Sequence, residues 1–260
     1  MRQFLAAFCL VLLASCGSDG DSDNTGKCSA LELTDTPAAK IVNGTPCSDL
    51  TKSPVVAILK NTSDGRTGLC TGTMLSPNKV LTAAHCLDGA SSVDILFGIT
   101  ADKFAFVTAS SWNMHPSFSR AGFTDDVGVV HSPVSLPVPN LPILTSSAPK
   151  IGDKVSIFGY GSTSGGADID GKLRAGAMTI GGVDVSKIYA YFDAGSSNTC
   201  SGDSGGPMLL QVGGQQTIVG ITSYGSSLNC SVGELSGFSN LQSPSAQNFI
   251  RSVAPDARFQ

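Results

Sequence analysis

Hydrophobic and polar positions divide the chain into three regions. Residues 4–14 are almost wholly apolar after a basic start at Arg2, residues 17–26 contain no apolar side chain, and short apolar runs separated by turn-forming residues begin at Ile41. The clearest of these runs are 54–60, 93–98, 126–130, 154–160 and 217–224. Short runs of this kind, broken by Gly, Ser, Asn and Pro, predict the strands of a barrel or sandwich. The tail at 245–253 carries apolar residues at helical spacing, which predicts one short helix.

The apolar leader predicts export. Residues 4–14 are too few for a comfortable membrane span and fit a signal peptide. The leader ends in Leu-Ala-Ser-Cys, which resembles the lipobox of bacterial lipoproteins, where the cysteine (here Cys16) becomes the lipidated first residue. An ordinary signal peptide with a cysteine near its cleavage site is the alternative. We therefore expect a protein held at a bacterial cell envelope by a lipid on Cys16, or else secreted, with residues 17–26 as a solvated linker.

Composition supports an all-β domain and argues against nucleic acid as a partner. The 260 residues suit one large domain or two small ones that share a site. Charged residues make up only 14%, while there are 30 glycines and 13 prolines, which favours strands and turns over a helical bundle. The net charge of −4 and the lack of a basic run leave no electrostatic footprint for nucleic acid. The proline-rich segment 132–142 fits a connector between two halves.

Cysteine usage indicates disulfides. Of the eight cysteines, Cys9 and Cys16 fall in the leader. The remaining six are Cys28, Cys47, Cys70, Cys86, Cys200 and Cys230. An even number in an exported chain favours disulfides, and the absence of a Cys-x-x-Cys pair with neighbouring histidines argues against a zinc site. The sequence alone leaves 15 pairings open.

The segment Gly-Asp-Ser-Gly-Gly-Pro at 202–207 carries the strongest chemical signal. A serine such as Ser204 becomes a nucleophile when a base removes its proton. Flanking glycines allow unusual dihedrals and close approach, and the N–H groups of Gly202 and Ser204 could converge on an oxyanion. A plain Gly/Ser turn is the alternative. The segment also matches the α/β-hydrolase elbow, but that fold places its histidine after the serine, whereas all three histidines here come before it.

His85 is the candidate base and Asp126 its carboxylate partner. His85 follows an apolar run and small residues and precedes a cysteine that can fix it, whereas we expect His115 and His131 to be structural. A carboxylate must hold the other imidazole nitrogen. Asp126 opens the apolar run 126–130, and Asp125 is its competitor. Because neighbouring side chains on a strand point in opposite directions, only one of the two can face His85, and we choose Asp126.

These motifs together resemble the chymotrypsin-like, or trypsin-like, serine proteases. The matching segments are Ile-Val-Asn-Gly at 41–44, Leu-Thr-Ala-Ala-His-Cys at 81–86, Asp-Val-Gly-Val-Val at 126–130, Cys-Ser-Gly-Asp-Ser-Gly-Gly-Pro at 200–207 and Ser-Tyr-Gly at 223–225. The order His, Asp, Ser is also that of the family. The resemblance implies two six-stranded antiparallel β-barrels, about 41–140 and 141–245, followed by a short helix, in a protease domain spanning 41–260. Residues 1–15 would be the signal peptide and 16–40 the linker and activation propeptide.

The resemblance also implies roles for residues around the cleft. Ser223 would support Asp126, and the backbone of 223–225 would pair with a peptide or protein substrate as an added strand. The residues of the expected specificity pocket are Asn198, Thr199, Ser223, Tyr224, Gly225 and Ser236. Trypsins carry an aspartate six residues before the nucleophile, where this chain has Asn198, so we expect an uncharged residue of moderate size before the cut. No cofactor or metal is expected.

Disulfides and activation follow from the same resemblance. The implied pairs are Cys70–Cys86 and Cys200–Cys230. Another protease is expected to cut after Lys40, so that the new amino terminus at Ile41 pairs with Asp203. Cys28 and Cys47 flank the cut, and a bond between them would keep the propeptide attached.

Two alternative hypotheses remain, one for the function and one for the fold. An inactive homologue that serves as a binding module typically lacks a member of the triad, and all three are present here. A subtilisin-like fold has the order Asp, His, Ser, which Asp49 or Asp64 before His85 permits, but it needs long helices between its strands and this sequence has almost none.

Overall fold

Strands account for nearly all regular structure in the computed structural model, which describes residues 41–47, 50, 53–100, 103–193 and 195–260. The first half of the domain contains β2 (Val55–Asn61), β3 (Thr67–Ser76), β4 (Lys79–Thr82), β5 (Ser92–Thr100), β6 (Lys103–Thr108), β7 (Ser111–Met114) and β8 (Gly128–His131). These antiparallel strands form a half-barrel sheet in the order β6-β5-β2-β3-β4-β8-β7. Its interior is a cluster of buried aliphatic residues that includes Val56, Ile58 and Met74.

The second half closes into a barrel. It contains β9 (Lys154–Gly159), β10 (Arg174–Val183), β11 (Lys187–Tyr191), β12 (Pro207–Val212), β13 (Gln215–Gly225) and β14 (Leu235–Asn240). The order β10-β11-β14-β13-β12-β9 is closed by pairing of β9 with β10, and the short strand β1 (Thr45–Pro46) adds to β10 from outside. Closure of this kind removes the free edges of a sheet.

A shared core joins the halves. One buried cluster contains Leu81 and Val129 from the first sheet together with Phe158 and Ile218 from the second. Burying large apolar side chains on both sides fixes the two sheets relative to each other, so that a loop from one can lie against a loop from the other.

The C-terminal helix packs on that shared core. Helix α1 (Pro244–Val253) begins where the Ser243 hydroxyl accepts a 3.1 Å hydrogen bond from the Ala246 N–H, with proline in its first turn. Its buried face, Ala246, Phe249 and Ile250, belongs to the cluster common to both halves. The expected all-β fold with one short C-terminal helix is confirmed. No helix within the described ranges is long and apolar enough to cross a membrane.

Candidate active site

His85 lies at the end of the first sheet, where β4 gives way to a single 3-10 turn, Ala84–Cys86. Cys86 forms a disulfide with Cys70 on the neighbouring strand β3, with a Cα–Cα distance of 6.1 Å. The bond ties the turn to the sheet, and the imidazole remains 14% exposed. An imidazole fixed in this way can be reached from outside while its other side faces the protein.

Asp126 binds His85 through both of its carboxylate oxygens. Oδ2 lies 2.8 Å from Nδ1 of the imidazole, and Oδ1 accepts a 2.8 Å hydrogen bond from the His85 backbone N–H. Oδ2 also accepts a 2.6 Å hydrogen bond from the hydroxyl of Ser223, which lies in the second half. A further hydroxyl, that of Ser239, donates a 3.0 Å bond to the Asp126 backbone carbonyl. The carboxylate is therefore held from both halves of the domain.

The charge state of Asp126 follows from these contacts. Its side chain is fully buried, and burial alone would raise the pKa of the carboxyl. The hydrogen bonds and charge of His85, with the hydrogen bond from Ser223, outweigh burial and leave the pKa of Asp126 below its ordinary value. A carboxylate in this state accepts the Nδ1 proton of His85, which leaves Nε2 free to act as a base.

The neighbouring carboxylate points elsewhere. Asp125 adopts a positive φ of 46°, and its Oδ1 lies 3.8 Å from Nε2 of His115. His115 is buried and packs on Phe249 of helix α1 with ring centroids 5.0 Å apart. His131 lies 2.8 Å from the side-chain oxygen of Asn113. Of the two aspartates, Asp126 is thus the one that meets His85, and the other two histidines take part in contacts away from it.

Ser204 lies on the loop between β11 and β12, against the first half of the domain. Its backbone carbonyl accepts a 2.8 Å hydrogen bond from the Thr71 N–H of β3 and lies 3.6 Å from Sγ of Cys86, the residue after His85. Within the described ranges its hydroxyl has no hydrogen bond to His85. The fold thus brings Ser204 beside the His85 turn although 118 residues separate Ser204 from Cys86.

Glycine permits the conformation of the loop around Ser204. Gly202 has a φ of 98° and Gly205 a φ of 82°, both in the left-handed region. A Cβ at Gly205 would also lie 2.1 Å from Oγ1 of Thr82 and 2.4 Å from the Thr71 carbonyl. The loop packs too closely against the first sheet for a side chain at this point.

Asp203 belongs to the same loop, and its side chain is buried. Its Oδ1 accepts a 2.8 Å hydrogen bond from the Gly161 N–H, and Oδ2 accepts one of 2.8 Å from the Cys200 N–H. Burial raises the pKa of Asp203 to about 7, although these two hydrogen bonds and the charge of Arg174 act in the opposite direction. A cation that reached this carboxylate would favour its ionised form.

The residues expected to form the specificity pocket are uncharged. Asn198 is 1% exposed, and its side-chain oxygen accepts a 2.7 Å hydrogen bond from the Ser236 hydroxyl, which lies 2.8 Å from Oγ1 of Thr199. Strand β13 carries Ser223, Tyr224 and Gly225, and Gly225 pairs with Ser236 of β14. The disulfide Cys200–Cys230 closes the neighbouring loop. The sequence-predicted pocket residues therefore come together, along with both disulfides implied by the resemblance.

One group of possible metal ligands lies close to the site. Ligand atoms of Cys70, His85 and Cys86 lie within 4.8 Å of one another. Both sulfurs belong to the disulfide, however, and a metal requires a thiolate. This cluster does not offer a metal site while the bond is intact.

Comparison with known proteins now identifies the family. The family model described as Trypsin matches residues 41–250. The chain belongs to the trypsin family. Brachyurin from Leptuca pugilator is 31% identical over 191 residues, which cover 66% of this chain and 82% of that protein. A trypsin from Saccharopolyspora erythraea is 32% identical over 185 residues, covering 63% of this chain and 78% of that protein.

A solved structure supports the trypsin-family fold. A structure titled as HL collagenase superposes with a TM-score of 0.70 and 22% identity, covering 82% of this chain and 98% of that chain. At this identity the likeness establishes the fold alone.

Several residues around the candidate site were not predicted from the sequence. Thr71 holds the Ser204 loop, since its hydroxyl also donates a 2.9 Å hydrogen bond to the Gly202 carbonyl. Phe123 packs edge-on against His85 with centroids 5.6 Å apart and stacks on Tyr224 at 5.5 Å. Lys187 lies buried behind them. Thr71 and Lys187 lie in strands whose sequences contain no recognisable motif. For Phe123, the one indication in the sequence was that it lies three residues before Asp126.

Proposed function

We propose that this chain is a serine endopeptidase that hydrolyses peptide bonds with Ser204 as nucleophile, His85 as general base and Asp126 as the carboxylate that orients His85. The observation that carries the proposal is the double hydrogen bond between Asp126 and His85, and the 3.6 Å distance between the Ser204 carbonyl oxygen and Sγ of Cys86, the residue after His85, supports it. Membership of the trypsin family supports a protein or peptide substrate.

In the proposed reaction, Ser204 Oγ attacks the scissile carbonyl while Nε2 of His85 takes its proton. Asp126 holds the Nδ1 proton and stabilises the imidazolium that forms. The N–H groups of Gly202 and Ser204 stabilise the oxyanion, and the left-handed conformation of Gly202 sets the direction of this backbone. His85 then gives its proton to the leaving amine, and water attacks the acyl-enzyme by the reverse sequence. The chemistry uses side chains and backbone groups of this chain and requires no cofactor.

The alternative is a catalytically inactive homologue that binds peptides. To separate the two, the chain cleaved after Lys40 is assayed on peptide substrates beside Ser204→Ala. We expect turnover to fall by several orders of magnitude in Ser204→Ala, because the residual rate comes from binding and oxyanion stabilisation alone.

A matched control for that assay is Ser110→Ala, an exposed serine of the first half that donates its hydrogen bond to the His131 carbonyl. Its turnover should equal that of the parent chain. Near-normal turnover in Ser204→Ala would refute the assignment, and peptide binding without turnover by the parent chain would favour the inactive homologue.

For specificity, we propose an uncharged residue of moderate size before the cut. The buried side chains proposed for the base of the pocket, Asn198, Thr199 and Ser236, are all neutral, and the Ser236 hydroxyl is hydrogen-bonded to each of the other two. A lysine or arginine placed there would lose its hydration without gaining a carboxylate partner. Digestion of a peptide library with the residue before each cut read by mass spectrometry tests this, and a strong preference for Arg or Lys would contradict it.

We also propose that the chain is a zymogen cleaved after Lys40 by another protease. Lys40 lies outside the described residues. Ile41 is buried in the core of the second half, and Val42 forms a pair of backbone hydrogen bonds with Asn198, of 3.0 and 3.1 Å. A new ammonium group at Ile41 would thus begin beside the Ser204 loop, where Asp203 is a buried carboxylate that gains from a cation.

The propeptide is proposed to remain attached after the cut. Cys47 is engaged in a disulfide, and its proposed partner Cys28 lies outside the described residues. Together with the proposed lipid on Cys16, also outside those residues, the bond would keep active enzyme at a bacterial envelope. After cleavage we expect one band on a non-reducing gel and two on a reducing gel. Release of the propeptide without reductant would show that the tether does not exist.

A further inference from the structure

Lys187 is a buried lysine at the start of β11, only 4% exposed. Burying an ammonium group is costly unless other groups replace its water. Its Nζ donates a hydrogen bond to the Phe123 carbonyl, lies 3.4 Å from the Ser223 hydroxyl oxygen and 5.4 Å from the centre of the Tyr224 ring. These three contacts suit an ammonium group and lie within the candidate active site.

The contact with Ser223 connects Lys187 to the triad. Ser223 uses its own proton in the 2.6 Å bond to Asp126 Oδ2, so its oxygen lone pairs face Lys187 as acceptors. Asp126 in turn binds Nδ1 of His85 at 2.8 Å. A cation one hydroxyl away from this carboxylate weakens the attraction that Asp126 exerts on a protonated imidazole.

The contact with Phe123 connects Lys187 to the substrate side of the cleft. Phe123 has a positive φ of 49°, a conformation that non-glycine residues rarely adopt without support. The hydrogen bond from Lys187 to its carbonyl provides that support. The ring of Phe123 lies between His85 and Tyr224, so a change in its position would change the surface on which a peptide is proposed to lie.

Among the described residues, the charged groups that act on Lys187 are carboxylates. Asp125 and Asp126 precede β8, and Asp184 lies in the turn before β11, where it accepts a 2.7 Å hydrogen bond from the Lys187 N–H. Burial lowers the pKa of Lys187, whereas the charges of Asp126, Asp184 and Asp125 act to raise it. Tyr189 donates a 2.8 Å bond to Asp184, which raises the pKa of Tyr189 to about 12 and keeps it neutral.

We propose that Lys187 is a positioning residue: its ammonium group holds Ser223 and Phe123 in place and makes protonation of His85 less favourable, which extends activity to lower pH. This rests on the proposed protease function. Lys187 would thus have an electrostatic effect on His85 and a steric effect on the Phe123 surface, where a peptide is proposed to lie. Substitutions at Lys187 can separate the two effects.

Three variants separate charge from hydrogen bonding. Lys187→Met removes both, Lys187→Gln keeps a donor without the charge, and Lys187→Arg keeps the charge. We expect the acid limb of the kcat/KM profile to move to higher pH by about 0.5–1 unit in the Met and Gln variants, and to stay near the parent value in Arg. The peptide KM should rise roughly three- to tenfold in Met and less in Gln, because Gln can still hold the Phe123 carbonyl.

A readout independent of turnover is the NMR titration of the His85 ring in the full chain. Its midpoint should shift upward in the Met and Gln variants by the same amount as the acid limb. Lys154→Met, at an exposed lysine of β9, is the control and should leave the midpoint unchanged. An unchanged midpoint in both neutral variants, or an equal shift in Arg and Met, would overturn the proposal. If the chain fails to hydrolyse peptides, the NMR shift still decides the role of Lys187.

Discussion

In the first half of the domain, His85 and Asp126 are joined by two hydrogen bonds of 2.8 Å and braced by the Cys70–Cys86 disulfide. In the second half, Ser204 lies on a loop that relies on left-handed glycines and encloses Asp203, whose carboxylate is bound by two backbone N–H groups. Both carboxylate oxygens of Asp126 are thus engaged with His85, whereas the Ser204 loop holds a buried carboxyl group, that of Asp203, whose ionised form would gain from a cation. We therefore propose that activity is controlled in the second half, at the Ser204 loop.

The largest effect on turnover is expected from a substitution in the His85–Asp126 pair. Asp126→Asn should lower kcat by about 10³–10⁴-fold, because an amide would favour the wrong tautomer of His85. Asp125→Asn is the matched control, since Asp125 lies 3.8 Å from His115 and not against His85. Its kcat should stay within about threefold of the parent value, as for a partly exposed charge pair. Equal losses in the two variants, measured on the same peptide, would show that the assignment of the carboxylate is wrong.

A smaller effect is expected at the pocket of the second half. Asn198→Asp places a carboxylate at the uncharged base, so the kcat/KM for peptides with Arg or Lys before the cut should rise relative to uncharged residues by about 10–100-fold. Asn229→Asp, in the exposed loop before Cys230, is the control and should leave the ratio unchanged. An unaltered ratio in Asn198→Asp would mean that Asn198 does not line the specificity pocket.

The smallest expected difference is in the stability lost when each disulfide is removed. Cys70–Cys86 spans 16 residues and Cys200–Cys230 spans 30. Replacing either pair by alanines should lower the free energy of unfolding by about 2–4 kcal/mol, with the longer loop costing about 0.5 kcal/mol more. Denaturant unfolding of both double variants measures this. Loss of the first pair should also reduce turnover, because that bond fixes the His85 turn, and unchanged turnover would contradict the bracing role.

Sequence motifs pointed to His85, Asp126 and Ser204 as the proposed catalytic residues, because acyl transfer requires particular residue types in a particular order along the chain. Strand alternation allows only one of Asp125 and Asp126 to face His85, and the sequence favours Asp126 because it opens the apolar run 126–130. In the structure Asp126 contacts His85, whereas Asp125 takes a positive φ and lies 3.8 Å from His115. The all-β fold and the helix were also predicted from short apolar runs and from helical spacing in the tail.

Contacts between distant segments could not be predicted in this way. Thr71 and Ser204 are far apart in the chain, and their hydrogen bond exists because the two sheets share a core. Lys187 begins β11, and the sequence of this strand does not indicate that the Lys187 ammonium group faces Asp126. That position depends on the sheet order, in which β14 lies between β11 and β13. The open half-barrel of the first sheet likewise depends on strand pairing and not on local pattern.

Covalent labelling of Ser204 by a serine-reactive phosphonate, before and after cleavage at Lys40, tests both the proposed nucleophile and its control by the second half. We expect about one equivalent of label after cleavage, mapped to Ser204 by mass spectrometry. Labelling of the Lys40→Gln precursor should be at least about 100-fold slower, since an incomplete oxyanion site costs that much. Equal labelling rates for the precursor and the cleaved chain would contradict the proposed control by the second half, and no labelling of Ser204 after cleavage would contradict the protease assignment itself.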